Sequence, residues 1–512
     1  MVNICLIHTE HFHKDVILFL ARKGIHVRYI CTPPEQIEHL AGSVSDCVFH
    51  SVWEAMLGLP PARLSEEPRL SVPPDASLLE RLFPYEAITL QMLERLNYRN
   101  MRIQDLRRFY LKYVSYWSGI INIIRPDAVI FQSVPHMGYD YVFYALCQVF
   151  GIRTLIVERT YLPDRLILIE KINEMPSPEA KQKIEMETNG CLQYQAQAVE
   201  NVLREEVLVE IENRENYYDM HNRAFQLSGS SKPSLAKMLK TLVLPGRSFL
   251  GTLWRRLSKL LKPVLTSIYG LTYPQPPLIT YLWHLCKDSI HRISLMSVYE
   301  SHVEPPDFGS SYVYFPLQYQ PERTSIPMGG LYSDQLLALD ILTHSIPQGW
   351  TVYVKEHPRQ FTGVVPQSVR LARSKQFYKT LCNYDHRKVR LVSPSVSSDE
   401  LIRNSKCVAT LTGTTGWEAV QRGIPTIVFG VPWYIHCPGV HLVTSVGSCS
   451  KVIGEIAAGK INVPRDHLES YVRWLNTKGT FQGYFADVFK SNLSAEENAR
   501  SYAEAIATRL GV

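Results

Sequence analysis

Two stretches of this chain share one rhythm: a short β-branched apolar run, a polar turn, then apolar residues at helical spacing. The first opens with Asn3–His8 as a strand, Lys14–Lys23 as an amphipathic helix stopped by Gly24, and His26–Cys31 as a second strand, a βαβ pattern. Residues 41–80 carry several prolines and predict little regular structure. Helical periodicity returns over Tyr85–Ile124, with Leu90, Leu93, Leu96, Leu106, Phe109, Tyr113 and Trp117 on the apolar stripe. After Arg125-Pro126-Asp127, Ala128–Gln132 predicts a strand, Tyr139–Phe150 a helix and Arg153–Val157 a strand.

The second stretch predicts strands at Tyr312–Pro316, Thr351–Val354, Val389–Val392, Val408–Leu411 and Ile424–Phe429. Helices are expected at Gln335–Ser345, at Trp417–Arg422 (stopped by Gly423) and over most of Leu468 to the end. The pattern predicts an α/β fold of two Rossmann-like lobes facing a cleft. Their bounds are 1–165 and 306–467, with a helical insertion at 166–305 and C-terminal helices at 468–512. No 20–50-residue repeat occurs, which argues against a solenoid.

Composition narrows the class. The chain has 512 residues, 46% hydrophobic and 20% charged, enough for more than one ordinary globular domain. Its ten cysteines include no C-x-x-C pair, which fits a reducing compartment and argues against a zinc or disulfide framework. The apolar run at the amino terminus is too short for a signal peptide, and the uncharged stretches 263–286 and 424–450 are broken by Pro and Gly. A cytoplasmic protein is expected.

Charge adds a second feature. Met220–Cys286 holds no Asp or Glu but nine Lys and Arg residues, from Arg223 to Lys262. Within it, 249–262 alternates Leu250, Leu253, Trp254, Leu257, Leu260 and Leu261 with Arg255, Arg256, Lys259 and Lys262. That predicts a basic amphipathic helix and an anionic membrane surface as partner, on the inner face of the membrane. No nucleic-acid partner is expected.

Candidate chemistry lies at strand ends, where open α/β sheets bind ligands. Lys355, Glu356, His357, Pro358 and Arg359 follow one strand, and Thr412-Gly413-Thr414-Thr415-Gly416 follows another, with Glu418 just inside the next helix. Small residues let backbone N–H groups approach an anion. Lys355, His357, Arg359, Thr412, Gly413, Thr414 and Thr415 are therefore candidates for a phosphate, and Glu418 for ribose hydroxyls. The alternatives are a packing turn, a structural histidine and a solvated glutamate. Asp-x-Asp occurs nowhere, so no metal and no cofactor are expected, and the cationic and backbone groups must meet the leaving-group charge. Catalytic carboxylates should come from the other lobe. Candidates are Glu10, Glu158 and Asp164, with Asp140 nearby; Glu158 is favoured because it ends a strand and Arg159 stands beside it. His8, His11 and His136 are similarly placed but read as structural.

Phe315-Pro316-Leu317-Gln318-Tyr319-Gln320-Pro321-Glu322-Arg323-Thr324, then Asp334-Gln335 and Val354-Lys355-Glu356-His357-Pro358, resemble bacterial capsule and surface polysaccharide biosynthesis proteins. Those in turn resemble GT-B glycosyltransferases that use CMP-activated 2-keto sugar acids of the Kdo and sialic-acid type. The resemblance covers 315–434 well, 1–165 only as a general α/β pattern, and 166–300 hardly at all. It implies a GT-B-like fold, a CMP-sugar donor, donor contacts from Gln318 and the two strand-end motifs, and a glycan or lipid-linked acceptor. Similar His-Pro and Gly-rich pairs occur in CDP-glycerol-type phosphotransferases. A CDP-polyol phosphotransferase, a GT-B-shaped sugar-nucleotide epimerase and a non-catalytic membrane scaffold are the rival expectations.

Overall fold

A computed structural model of the protein describes residues 2–9, 14–44, 46–95, 101–176, 290–320, 322–362, 373–485, 491 and 493–512. Thirteen strands are described: β1 Val2–Ile7, β2 Ile25–Thr32, β3 Val48–Ser51, β4 Ala128–Phe131, β5 Arg153–Arg159, β6 Arg165–Ile169, β7 Tyr312–Pro316, β8 Thr351–Lys355, β9 Val389–Val392, β10 Cys407–Thr410, β11 Thr426–Val428, β12 Val440–Leu442 and β13 Phe481–Gln482.

They form two sheets, ordered β13-β6-β5-β4-β1-β2-β3 and β12-β11-β10-β7-β8-β9. The second is parallel throughout, and the first is parallel from β5 to β3. Parallel sheets are covered on both faces; accordingly every residue of β4, β8 and β10 is buried. The expected pair of Rossmann-like lobes in a GT-B-like α/β fold is what the strands build.

Each sheet reverses its winding once. From β1 the chain goes to β2 and β3 on one side, then to β4 on the other; from β7 it goes to β8 and β9, then to β10. These β1/β4 and β7/β10 junctions are the switch points where such sheets open a ligand crevice.

Several elements differ from the sequence reading. Residues 41–80 contain β3 and the helix Val52–Leu57. β3 carries a fully buried histidine, His50, which meets Tyr29 Oη at 2.5 Å, Tyr116 Oη at 2.8 Å and the Leu59 carbonyl at 3.0 Å. These partners are distant in sequence, so local pattern conceals the strand. The antiparallel β6 and β13 also extend the first sheet, with Phe481 opposite Leu166. The last helix, Ala495–Leu510, returns to this lobe and buries Tyr502, Ala503 and Ile506 among Val16, Ile17 and Leu20. One apolar cluster joins the lobes, running from Trp117, Tyr139 and Phe143 to Met328, Trp417, Trp433 and Tyr434. The basic segment 249–262, and with it the expected membrane surface, lies outside the described residues.

Candidate active site

The helix after β10 starts three residues earlier than expected, spanning Thr414–Gln421 with Gly413 as its extended N-cap. β-branched residues cost little in the first turn, where no preceding turn crowds their side chains, and the N–H groups there have no intrahelical partner. Thr412-Gly413-Thr414-Thr415 is therefore a helix amino end at the β7/β10 switch point.

That end is held closely. The Gln318 side-chain amide, with its NH2 donating to the Thr324 carbonyl (3.0 Å), accepts from the N–H of Thr412 (2.9 Å) and Gly413 (2.5 Å). Thr412 Oγ1 donates to the Thr324 carbonyl at 2.6 Å. A Cβ on Gly413 would meet Thr410 Oγ1 at 2.8 Å and the Gln318 amide oxygen at 2.9 Å, and one on Gly416 would overlap the Tyr434 hydroxyl, so both positions require glycine for close approach. Thr412 and Gly413 are thus engaged within the protein. The N–H and hydroxyl groups of Thr414 and Thr415, both half-buried, have no partner among the described residues.

The Lys-Glu-His-Pro loop follows β8, next to β7. The four polar side chains of Lys355–Arg359 point to different tasks. Lys355 is buried beneath the strand end, with Nζ donating to the Val396 carbonyl (2.6 Å) and Ser398 Oγ (2.8 Å). Burial pushes its pKa down to about 7, partly opposed by Glu418, itself buried. Glu356 is fully buried and ion-paired with Arg373 at 2.8 Å; Tyr378 Oη donates to it at 2.7 Å. His357 is half-buried under Tyr319, with ring centroids 5.6 Å apart, and its Nδ1 accepts the Arg359 N–H at 3.1 Å. In the neutral ring this leaves the proton on Nε2. Arg359 and Pro358 are half-buried in the following short helix and turn.

Arg373 is the residue here that the sequence did not single out. Its guanidinium bonds Glu356, the Gln320 side chain and the Gln318 carbonyl, so it ties the β7 and β8 loops together. An arginine remote in sequence from both motifs offers no local signal.

In the first lobe, Glu158 is buried at the end of β5. Sequence order points to Arg159 as its partner, but the ion pair runs to Arg323 of the other lobe at 3.0 Å, while the Arg159 guanidinium lies 5.0 Å from the Phe485 ring centre. Burial raises the Glu158 pKa, and Arg323 and Arg159 oppose that rise. Asp164 is half-buried in the turn before β6 with φ +50°. Glu10 and His11 lie outside the described residues.

The β1/β4 switch point holds a further cluster. His8 has φ +59°, a conformation rare for a non-glycine residue. Its Nδ1 lies 2.7 Å from Tyr139 Oη, and its ring centre is 6.4 Å from that of His136. Asp140 is buried beside them and accepts backbone N–H groups from His136 (3.0 Å), Met137 (2.7 Å) and Tyr141 (2.8 Å). Burial raises its pKa against the pull of His8 and these donors. Among the described residues, no three His, Cys, Asp or Glu side chains are grouped to hold a metal ion, and no helix is long and apolar enough to cross a membrane.

Residues 306–442 match the capsule polysaccharide biosynthesis protein family. The match spans β7 to β12, including both strand-end motifs, and agrees with the resemblance read from 315–434. No curated protein matches the chain. Among solved structures, the calicheamicin glycosyltransferase CalG4 is 11% identical, covering 100% of this chain and 98% of that one, with a TM-score of 0.22. A UDP-GlcNAc 2-epimerase of Methanocaldococcus jannaschii is 11% identical over 100% and 99%, with a TM-score of 0.26. The beta Kdo 2,7 transferase KpsC of Thermosulfurimonas dismutans is 15% identical over 43% and 61%, with a TM-score of 0.23. At such scores none of the three adds to what the strands themselves show.

Proposed function

We propose that the protein is a glycosyltransferase that moves a sugar, a 2-keto sugar acid from a CMP donor, onto a surface-glycan or lipid-linked acceptor. The observation that carries this reading is the open helix start at Thr414–Thr415, at the switch point of the lobe that matches the capsule family. Two N–H groups and the helix dipole there suit the phosphate of a leaving CMP. His357, on the loop after β8 two strands away, is assigned as a further contact to the donor. Glu418, one helical turn on, faces the ribose, and Lys355 offsets its charge from below.

The acceptor then binds at the first lobe's switch point. As the acceptor oxygen bonds to the anomeric carbon, the bond from that carbon to the CMP phosphate oxygen breaks, and the acceptor proton passes to a base. Glu158 and the His8–Asp140 cluster are the groups placed for that work; Asp164 and Glu10 stay as further candidates. The basic segment 220–286 attaches the enzyme to the inner membrane face, where a lipid-linked acceptor resides.

The test is a panel of CMP-, CDP- and UDP-linked donors with purified protein in chelator, with products identified by mass. Release of CMP from a 2-keto sugar acid donor, with the sugar found on a glycan acceptor, is expected. Interconversion of a UDP-sugar without acceptor would replace this reading with an epimerase. Transfer of a polyol phosphate from a CDP donor would replace it with a phosphotransferase.

A further inference from the structure

We infer that Arg323 selects the donor: its guanidinium takes the carboxylate that a 2-keto sugar acid carries on its anomeric carbon. This rests on the donor reading above and assigns it a specificity residue.

Position is the first argument. Thr324, the next residue, is clasped to the phosphate turn: its carbonyl accepts from Thr412 Oγ1 at 2.6 Å and from the Gln318 amide at 3.0 Å. Arg323 is therefore fixed beside the helix start that would hold the phosphate, and its side chain reaches across to Glu158. A sugar joined to that phosphate would lie between the lobes next to the guanidinium.

Bonding is the second. Only Nη1 of Arg323 has a partner among the described residues, Glu158 Oε2 at 3.0 Å. Nε and Nη2 retain three N–H donors, and the side chain is 18% exposed, so a ligand can reach it. Those donors are available to a second anion while the pair with Glu158 stays made: Glu158 orients the planar fork, and its remaining edge matches a carboxylate.

Charge and chemistry agree. Arg159 adds a second cation near Glu158; Glu322 and Tyr161 also act on Arg323 electrostatically, but Glu322 is exposed and accepts the Thr324 hydroxyl at 3.4 Å, so it leaves the Nε–Nη2 edge without a hydrogen-bond partner among the described residues. A 2-keto sugar acid bears its phosphoester oxygen and its carboxylate on the same carbon, so two anionic groups must be met side by side. An aldose donor has hydrogen in the carboxylate's place and leaves the fork unused.

Calorimetric titration of the full chain with CMP, a CMP-linked 2-keto sugar acid and its methyl ester tests this. In the wild type the acid is expected to bind more tightly than the ester by roughly 10–100-fold, the range for charge-assisted bonds. In Arg323→Gln that preference should vanish while CMP affinity stays within about twofold. Arg323→Lys should keep part of it, because the charge remains without the fork. The Glu158→Gln/Arg323→Gln double variant, which leaves no buried carboxylate unpaired, guards against misfolding and should behave like Arg323→Gln. If acid and ester are discriminated equally by wild type and double variant, Arg323 is not the selector, though the nucleotide site stands. If the wild type does not bind CMP, the donor reading fails and this assignment with it.

Discussion

The carboxylate of Glu356 meets the guanidinium of Arg373 at 2.8 Å, and neither side chain has any exposed surface. Removing one partner of such a pair strands a charge in the interior and costs about 3–5 kcal/mol, whereas removing both costs far less. Arg373→Met should lower the unfolding free energy by that amount in denaturant titrations, and Glu356→Met/Arg373→Met should recover most of it. Because Arg373 also holds the Gln318 carbonyl and Gln320, CMP affinity should stay weak in the double variant. Full affinity there would show that the pair supports the fold but not the phosphate site.

At the phosphate turn, two substitutions separate donor from scaffold. His357→Ala should weaken CMP binding by roughly 1.5–3 kcal/mol, the worth of a hydrogen bond to a charged group. Gly413→Ala drives a methyl into Gln318 and Thr410, which should open the clasp, weaken CMP binding and lower stability by about 1–3 kcal/mol. CMP, CDP and UDP affinities unchanged in both variants would place the nucleotide elsewhere.

Much of this lobe was legible in the sequence. Tyr312–Pro316, Gln335–Ser345 and Val389–Val392 occur with the bounds that apolar runs and turn residues predict, because parallel core strands are continuous apolar segments. What escaped depends on contacts between distant residues. Glu158 is as close in sequence to Arg159 as possible, yet its partner is 165 positions away. β6 and β13 are short strands at one end of the sheet, and their pairing, Phe481 with Leu166, is encoded by no local pattern. His8 read as structural because backbone strain does not show in residue type; only its φ of +59° sets it apart.

That strain makes a prediction of its own. A non-glycine residue held in a sparsely populated conformation costs about 1–3 kcal/mol, and such residues gather at functional sites. His8→Gly relieves the strain while losing the Tyr139 contact, so the variant should be about as stable as the wild type. Sugar transfer should nevertheless collapse, with CMP binding intact. A variant that is markedly destabilised yet still active would make His8 a core residue.

The basic segment is tested separately. Wild-type protein should sediment with anionic liposomes at low salt and be released at high salt, since exposed charges are screened. Replacing Arg255, Arg256, Lys259 and Lys262 with Gln should abolish sedimentation and spare hydrolysis of a soluble donor. Protein that stays in the supernatant at low salt would remove the membrane from this account.

Lys355 gives a pH signature. In the folded protein burial lowers its pKa to about 7, against the opposing charge of Glu418, while in the unfolded chain a lysine titrates near about 10.4. Below pH 7 both states hold the proton, and the full cost of a buried cation falls on the folded state. Between about 7 and 10.4 the folded state has released the proton and the unfolded state has not, so unfolding takes up a proton and stability rises with pH. The rise is on the order of 4 kcal/mol over the whole window. Denaturant titrations at pH 6, 8 and 10 should show it as a wild-type minus Lys355→Met difference, which cancels the tyrosines and other groups common to both. Glu418→Gln removes the charge that holds the Lys355 pKa up, so in that variant the rise should begin at lower pH. A difference that is flat from pH 6 to 10 would mean that Lys355 keeps its proton, and that its ammonium remains a permanent cation under the phosphate site.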